Sequence, residues 1–537
     1  MSEDGTPVSR SYDTRSGSGD ENQYVLSLDI GTTVLCCHIY DKDANIKGTS
    51  RQKVEILHPK TGWMEMDPDR LVEQVISSVK DCVKASGLQL HQLKCMAIAT
   101  QRGTFITWDR ETGKPFHNLI TWQDLRSASY VKTWNSSYTM QGLNSVSKLL
   151  HLITRKKRFL AASVLRFMAK QVTLRLLWAL DNIPQLRIRA SEGQVMFGCI
   201  DTWLVWKLTG KQVHATDFSC ASSTGLFDPF QIEWSSIVCS LINIPMSMFP
   251  EVRDTSGYFG DTDADILGAA IPITCVVADQ QGAMFGQCCF DIGDVKCTLG
   301  TGTFIDLNTG SKPHASVAGL YPLIGWKIGS EMVFIAEGIA ADTGITLEWA
   351  QSLGFFDDVS ETASLAESVP NSGGVYFVPA FSGLQAPIND DGATSSMIGM
   401  QPDTTKAHIV RAILESIAFR FKILYETILS ETKIPISHMR VDGGVCNNTF
   451  LMQLMSDLVN KSLDRSKHTD MTSLGAAFLA GLATGIWKNK EELRRLRTSH
   501  CIYSPRPTWN QYKDTFHEWE RAVSRSLQWY RTDTPGT

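Results

Sequence analysis

Twice in this chain, about 270 residues apart, an apolar run breaks at a Gly/Thr turn and resumes as a second apolar run. The first copy is Tyr24 to Asp29, then Gly31-Thr32-Thr33, then Val34 to Tyr40. The second is Val295 to Leu299, then Gly300-Thr301-Gly302-Thr303, then Phe304 to Leu307. Apolar runs joined by so short a turn read as β-hairpins. Helices and further strands follow each copy. Asp67 is a good N-cap and Pro68 suits the first helical position, with Leu71, Val75, Val79 and Val83 recurring at the helical period. Met96 to Thr100 is a strand running into Gln101-Arg102-Gly103, and Ile273 to Val277 is a strand ending at Asp279-Gln280-Gln281, with a small-residue helix expected from Gly282. Late in the chain Asp442-Gly443-Gly444 follows another strand-like run, and Thr472 is expected to cap a helix over Leu474 to Trp487. Alternating strands and helices define an α/β architecture. The duplication predicts two similar lobes facing each other across a cleft, residues 24–285 and 286–537, behind a polar tail over residues 1–23.

Composition excludes several functions. Fifty-one Lys and Arg against 56 Asp and Glu leave a net charge of −5, which argues against nucleic acid as the main partner, since a phosphate backbone needs a basic footprint. The 13 cysteines are odd in number, two pairs are adjacent, and no CxxC occurs, which points to a reducing compartment and away from a zinc ribbon. The 12 histidines form no HExxH and no cluster with cysteine, so a protein-held transition metal is not expected. The amino-terminal residues carry no apolar signal segment and no run of about 20 apolar residues occurs, so neither secretion nor a membrane span is expected and the cytoplasm is the default. One segment stands apart: Arg155 to Arg189 holds nine basic residues and one acid, Asp181. It reads as a helical insertion over about residues 150–190, either a solvated face or a contact for a protein or an anionic membrane.

The P-loop, the protein-kinase signatures and the GxSxG elbow are all absent. The two turns supply another way to hold a polyphosphate. Backbone N–H groups in a tight glycine turn form an anion nest, and threonine hydroxyls add donors. Asp29, just before the first turn, is placed to meet Mg²⁺, a hard cation that keeps several of its waters. Asp279 lies at the carboxyl end of a buried strand, where open α/β sheets bind ligands. It reads either as a general base for a hydroxyl group or as the N-cap of the helix that follows.

Read together and in order, these segments resemble the FGGY carbohydrate kinases, glycerol kinases in particular, over roughly residues 24–530. The resemblance rests on Asp29-Ile30-Gly31-Thr32-Thr33, Gly62 to Pro68, Thr100-Gln101-Arg102, Asp201-Thr202-Trp203-Leu204, Thr216-Asp217 and Asp279-Gln280-Gln281. It continues through Gly300 to Phe304, Leu414 to Ala418, Asp442-Gly443-Gly444 and Leu474 to Ala477. It implies two actin-like ATPase (ribonuclease H-like) lobes and ATP-dependent phosphorylation of glycerol to sn-glycerol 3-phosphate. By the same resemblance Asp279 is the base, Arg102 and Gln280 hold substrate hydroxyls, and Trp122 and Phe304 wall the carbon chain. Thr32, Thr33, Gly300 and Thr301 would contact phosphates, Gly344, Glu348, Gly444 and Asn448 would surround the nucleotide, and Asp29 would belong with Mg²⁺. Departures from the family pattern fall at Cys36, where a cation is lost, at Glu348, and at Thr394-Ser395. Gly103 stands in place of a glutamate that accepts from substrate hydroxyls, and Lys170 aligns with a pocket tyrosine. A kinase for another small polyol and a nucleotide-binding regulator without turnover stay open as alternatives.

Overall fold

The computed structural model describes residues 23–507 and 509–530, so the expected tail lies outside the described residues except for Gln23. Two twisted sheets carry the fold. The first is built from β1 (Tyr24–Ile30), β2 (Val34–Tyr40), β3 (Ile46–Lys53), β4 (Leu93–Thr100) and β5 (Ile273–Ala278), in the order β5-β4-β1-β2-β3. The second is built from β6 (Val295–Leu299), β7 (Thr303–Gly310), β8 (Tyr321–Ile328), β9 (Glu331–Ala340), β10 (Met439–Asp442), β11 (Leu463–Ser466) and β12 (Ser499–Tyr503). Its order is β8-β9-β7-β6-β10-β11-β12.

Both predicted hairpins are present: β1 pairs antiparallel with β2, and β6 with β7. Each hairpin then takes a third antiparallel strand on one side, β3 or β9, and two parallel strands on the other, β4–β5 or β10–β11. The duplication seen in the turns therefore extends to strand order and direction. Parallel strands need a long crossover, and helices provide it. The helix Pro68–Ser86 runs between β3 and β4, capped by the Asp67 carboxylate, which accepts from the Asp69 and Arg70 N–H groups. The helix Lys406–Thr432 precedes β10.

Two helices join the halves. Asp279–Gly286 crosses Met471–Thr484 at glycines so close that a Cβ on Gly475 would lie 1.8 Å from the Gly282 carbonyl oxygen. Leu474 and Phe478 of the second helix share one core with Val25, Ala97 and Val277 of the first sheet and with Phe285 and Trp326. Both helices start earlier than expected. The first begins at Asp279, because Gly282 is a packing residue inside it rather than a breaker before it. The second begins at Met471 and ends at Thr484, and Trp487 turns back to donate from Nε1 to the Lys42 carbonyl at 2.8 Å.

The insertion is helical, as expected, but it is not one basic face. Arg187 pairs with Asp181, Arg189 with Asp109 and Arg158 with Asp228. Arg175 is fully buried. Folding spends these cations on specific partners, which sequence charge alone does not show.

Candidate functional site

In the first sheet, parallel register brings three chain segments to one edge. Ile30 and Ala278 both lie beside Thr100, so Asp29 to Thr32, Gln101-Arg102 and Asp279 emerge together at the carboxyl ends of β1, β4 and β5. Asp279 is the first residue of its helix and Ala278 is the cap position, so the N-cap reading of Asp279 does not hold. Its Oδ1 accepts from the Gln280 N–H at 2.8 Å and lies 3.6 Å from Arg102 Nε. Burial pushes its pKa up, with Arg102, the Gln280 N–H and Lys296 opposing. A chain of hydrogen bonds sets its position. Asp217 accepts from the Ser219 hydroxyl, and that hydroxyl accepts from the Ala278 N–H at 2.9 Å.

Asp29 faces the same space. Burial, with Asp279 and Asp470 nearby, pushes its carboxyl up to about 8, and Arg51 pulls the other way. Arg51 sits opposite Cys36 on the neighbouring strand, so a cation missing at position 36 is present one strand over, paired with Asp470 at 2.6 Å. The first turn is braced by Gln101, quoted from the sequence but given no role there. Thr32 Oγ1 donates to Gln101 Oε1 at 3.0 Å and accepts from Trp122 Nε1 at 3.0 Å. The Thr32 hydroxyl thus ties the expected phosphate turn to the expected pocket wall, while Thr33 is exposed at the tip.

The second sheet contributes a ladder of polar residues. Lys296 on β6, Asp306 on β7, Glu337 on β9 and Tyr321 on β8 are successive cross-strand partners in one row. Side chains in such a row stand on one face of the sheet. The Lys296 ammonium lies 2.9 Å from Asp306, both side chains fully buried, and donates to Gln280 Oε1 at 2.5 Å. Arg102 reaches across from the first lobe, 2.7 Å from Glu337. Burial raises the Glu337 carboxyl to about 7; Arg102 opposes the rise and Asp306 adds to it. The next row on the same face carries Asp442, Thr298 and Phe304, with the Thr298 hydroxyl donating to Asp442 at 2.5 Å. The Phe304 ring lies 5.7 Å from the Arg102 guanidinium carbon.

Asp279, Arg102, Gln280 and Phe304 are therefore brought together, with Trp122 joined to them through Thr32 and Gln101. Lys170 Nζ lies 5.7 Å from the Trp122 ring centroid. Gly103 has φ +70°, and a Cβ there would lie 3.3 Å from the Lys170 carbonyl oxygen. Arg175 binds this corner through carbonyl oxygens, donating to Gly103 at 2.8 Å, Lys170 at 2.8 Å and Thr121 at 2.5 Å. It is a positioning residue where sequence charge suggested an exposed one.

The nucleotide side is more mixed. Gly300 and Thr301 form the second turn, and the backbone N–H groups of Thr343 and Gly344 donate to their carbonyls. A Cβ on Gly344 would lie 2.6 Å from the Gly300 carbonyl oxygen, so this glycine is needed by the turn itself. Of the two late glycines, Gly443 is the constrained one, with φ +94° and a Cβ position 2.3 Å from the Leu299 carbonyl oxygen, whereas Gly444 faces open space. Asn448 caps the helix Thr449–Val459, accepting from Leu451 N–H and donating to Thr362. Glu348 is exposed on the helix Gly344–Ser352.

With this geometry in place, the likeness to known proteins is direct. Residues 24–286 match the N-terminal domain and residues 295–484 the C-terminal domain of the FGGY family of carbohydrate kinases. The chain belongs to that family, and its two lobes have the actin-like ATPase fold. It is 54% identical over 522 residues to Glycerol kinase 5 of Danio rerio, covering 96% of this chain and 99% of that one. It is 52% identical to Glycerol kinase 5 of Homo sapiens, covering 94% and 96% of the two chains. The Glycerol kinase 2 of Thermotoga maritima is 37% identical, covering 94% and 99%. Among solved structures, Plasmodium falciparum glycerol kinase with ADP superposes with a TM-score of 0.85 at 33% identity, covering 94% of this chain and 98% of that one.

Proposed function

We propose that this chain transfers the γ-phosphoryl group of ATP to glycerol, giving sn-glycerol 3-phosphate. The observation that carries the reading is the placement of Asp279 at the meeting of both lobes. It is half-buried beside Arg102 and the Gln280–Lys296 pair, at the same sheet edge as the Asp29–Thr32 turn. Relatives named glycerol kinase over nearly their whole length support the same assignment.

In this reading residues 24–285 hold the polyol and residues 286–537 the nucleotide. Asp279 takes the proton of the attacking hydroxyl, and a carboxylate made more basic by burial is suited to that task. Arg102 donates to the other substrate hydroxyls from a position fixed by Glu337. Lys296 occupies the Gln280 Oε1, which leaves the amide N–H₂ to donate to a substrate oxygen. Trp122 and Phe304 enclose the carbon chain. The backbone of the Thr32–Thr33 and Gly300–Thr301 turns, with their hydroxyls, grips the phosphates from both lobes, and the Gly344–Glu348 and Gly444–Asn448 segments flank the nucleoside. Phosphoryl transfer asks little covalent chemistry of a protein, so positioning and charge stabilisation carry the rate.

Among the described residues no cluster of three His, Cys, Asp or Glu side chains could hold a metal by itself. The half-buried carboxylate of Asp29, beside a phosphate turn, fits Mg²⁺ arriving with ATP. When bound it would be held by Asp29 and the phosphates, and would neutralise phosphoryl charge. Thirteen free cysteines, 12 of them buried, support a cytoplasmic setting. Among the described residues no helix is long and apolar enough to cross a membrane.

The deciding experiment measures ADP formation against a panel of polyols with a no-substrate control, for the native chain and for Asp279→Asn. Glycerol-dependent turnover that falls about 10²–10⁴-fold in the variant, with ATP affinity little changed, is the expected result. Turnover on another polyol alone, ATP binding without turnover, or a fully active variant would each overturn the assignment.

A further inference from the structure

The insertion holds a surface that the kinase reading does not use. Between residues 125 and 180 the chain carries ten basic residues and no acid, in a protein whose net charge is −5. Within it the helix Tyr138–Thr154 buries Met140 and Ser147 on its inner side. Its outer side is also apolar: Tyr138 is 92% exposed, Ile153 70%, Leu149 57%, Leu152 56% and Val146 56%. At 3.6 residues per turn these five fall within an arc of about 120°, a stripe they share with the small residues Gly142 and Ser145. A helix apolar on both sides belongs inside a core or against a partner, yet this one has solvent on its outer side.

The chemistry at the end of the stripe indicates the partner. Ile153 is followed, after Thr154, by Arg155, Lys156 and Lys157, all exposed. Among the described residues no ion pair engages these three, although Arg158, next in line, lies 3.7 Å from Asp228. Lys148 adds a further exposed cation on the helix. A second copy of the chain is a poor occupant, because this region has no acid to meet the other copy's bases. An apolar stripe bordered by cations is the pattern of a helix lying in the interface of an anionic bilayer, side chains in the acyl boundary and bases at the headgroups.

We propose that the helix Tyr138–Thr154 and the Arg155-Lys156-Lys157 corner form a reversible docking surface for anionic membranes. The surface is independent of the phosphoryl-transfer site. It also differs from the basic segment as read from sequence, since Arg175, Arg187 and Arg189 take no part.

The test uses the full chain, sedimented with phosphatidylcholine vesicles alone or with about one-third phosphatidylserine. Binding is expected to the mixed vesicles and not to the neutral ones, and to weaken as salt shortens the Debye length. Each basic residue near an anionic surface contributes about five-fold, so Arg155→Gln/Lys156→Gln/Lys157→Gln should weaken binding about 10²-fold. Leu149→Gln/Ile153→Gln should abolish it. Both variants should keep native ADP formation in vesicle-free buffer, which confirms their fold. No binding to mixed vesicles, or binding that both active variants retain, overturns the proposal. A concentration-dependent dimer lost in Leu149→Gln/Ile153→Gln would assign the face to a second copy. Capture by an acidic polypeptide such as polyglutamate, without vesicle binding, would assign it to an acidic protein. Either result also overturns the proposal.

Discussion

Glu337→Gln is the sharpest probe of the ladder under the site. The side chain is 3% exposed and sits 2.7 Å from Arg102, with burial raising its carboxyl to about 7 from an ordinary value of 4.5. The sign follows from linkage. Below pH 4.5 both folded and unfolded chains hold the proton. As pH rises the unfolded chain releases it near 4.5, while the folded chain keeps it until about 7. Stability contributed by this group is therefore full below pH 4.5 and lost as pH climbs through about 7, at about 1.4 kcal/mol per pH unit, about 3 kcal/mol in all. Glutamine keeps the shape and does not titrate. Its melting temperature relative to the native chain should therefore rise steadily between pH 5 and pH 7, whatever the offset at pH 5. Comparing the two proteins cancels the other titrating groups, including Asp29 and Asp201, which act in the same direction. A melting-temperature gap that does not change over this range would refute the buried, proton-holding state of Glu337.

Further outcomes follow from named contacts. Lys296→Met removes the ammonium from a fully buried pair and leaves Asp306 without its partner; a loss of about 3–5 kcal/mol is expected by thermal melting, with a higher KM for the polyol because Gln280 loses its anchor. Gly103→Glu must hold a side chain at φ +70° against the Lys170 carbonyl, so a loss of about 1–2 kcal/mol should precede any gain in substrate affinity, and a lower polyol KM in a fully stable variant would contradict this geometry. His117 is held neutral at about 4 by burial, with Nε2 accepting from Thr107 and Nδ1 donating to the Asn118 carbonyl. The stability this group contributes should accordingly be lost as pH falls from 6.5 toward 4, so the melting temperature of His117→Gln relative to the native chain should rise over that range.

Much of this protein was legible before any coordinates. The Gly/Thr turns, the strands leading into them and the Asp67 cap are local features, set by backbone freedom and side-chain periodicity within a few residues. Asp279 and the turn residues were legible for the same reason: each sits at the end of an apolar run, and ligands gather where parallel strands end; Arg102 came from the family resemblance. Lys296, Asp306 and Glu337 show in the sequence only as charged residues inside apolar strands. What makes them a site is register, which sets β6, β7, β9 and β8 so that the four polar side chains share one row, and register is fixed between segments far apart in the chain.

The same distinction governs the charges. Composition alone established that the Arg155–Arg189 segment is basic, but it could not tell Arg175, whose guanidinium is fully buried against backbone carbonyls, from Arg155, which faces water. From the sequence a helical insertion was expected over about residues 150–190, and only packing showed the helix Tyr138–Thr154 and which of its sides the core covers. Local structure depends on neighbours along the chain, whereas burial and pairing depend on neighbours in space. The sequence therefore determined the hairpins, the Asp67 cap and the candidate base, and the tertiary structure decided which cations serve the fold, which serve the site and which remain for a partner.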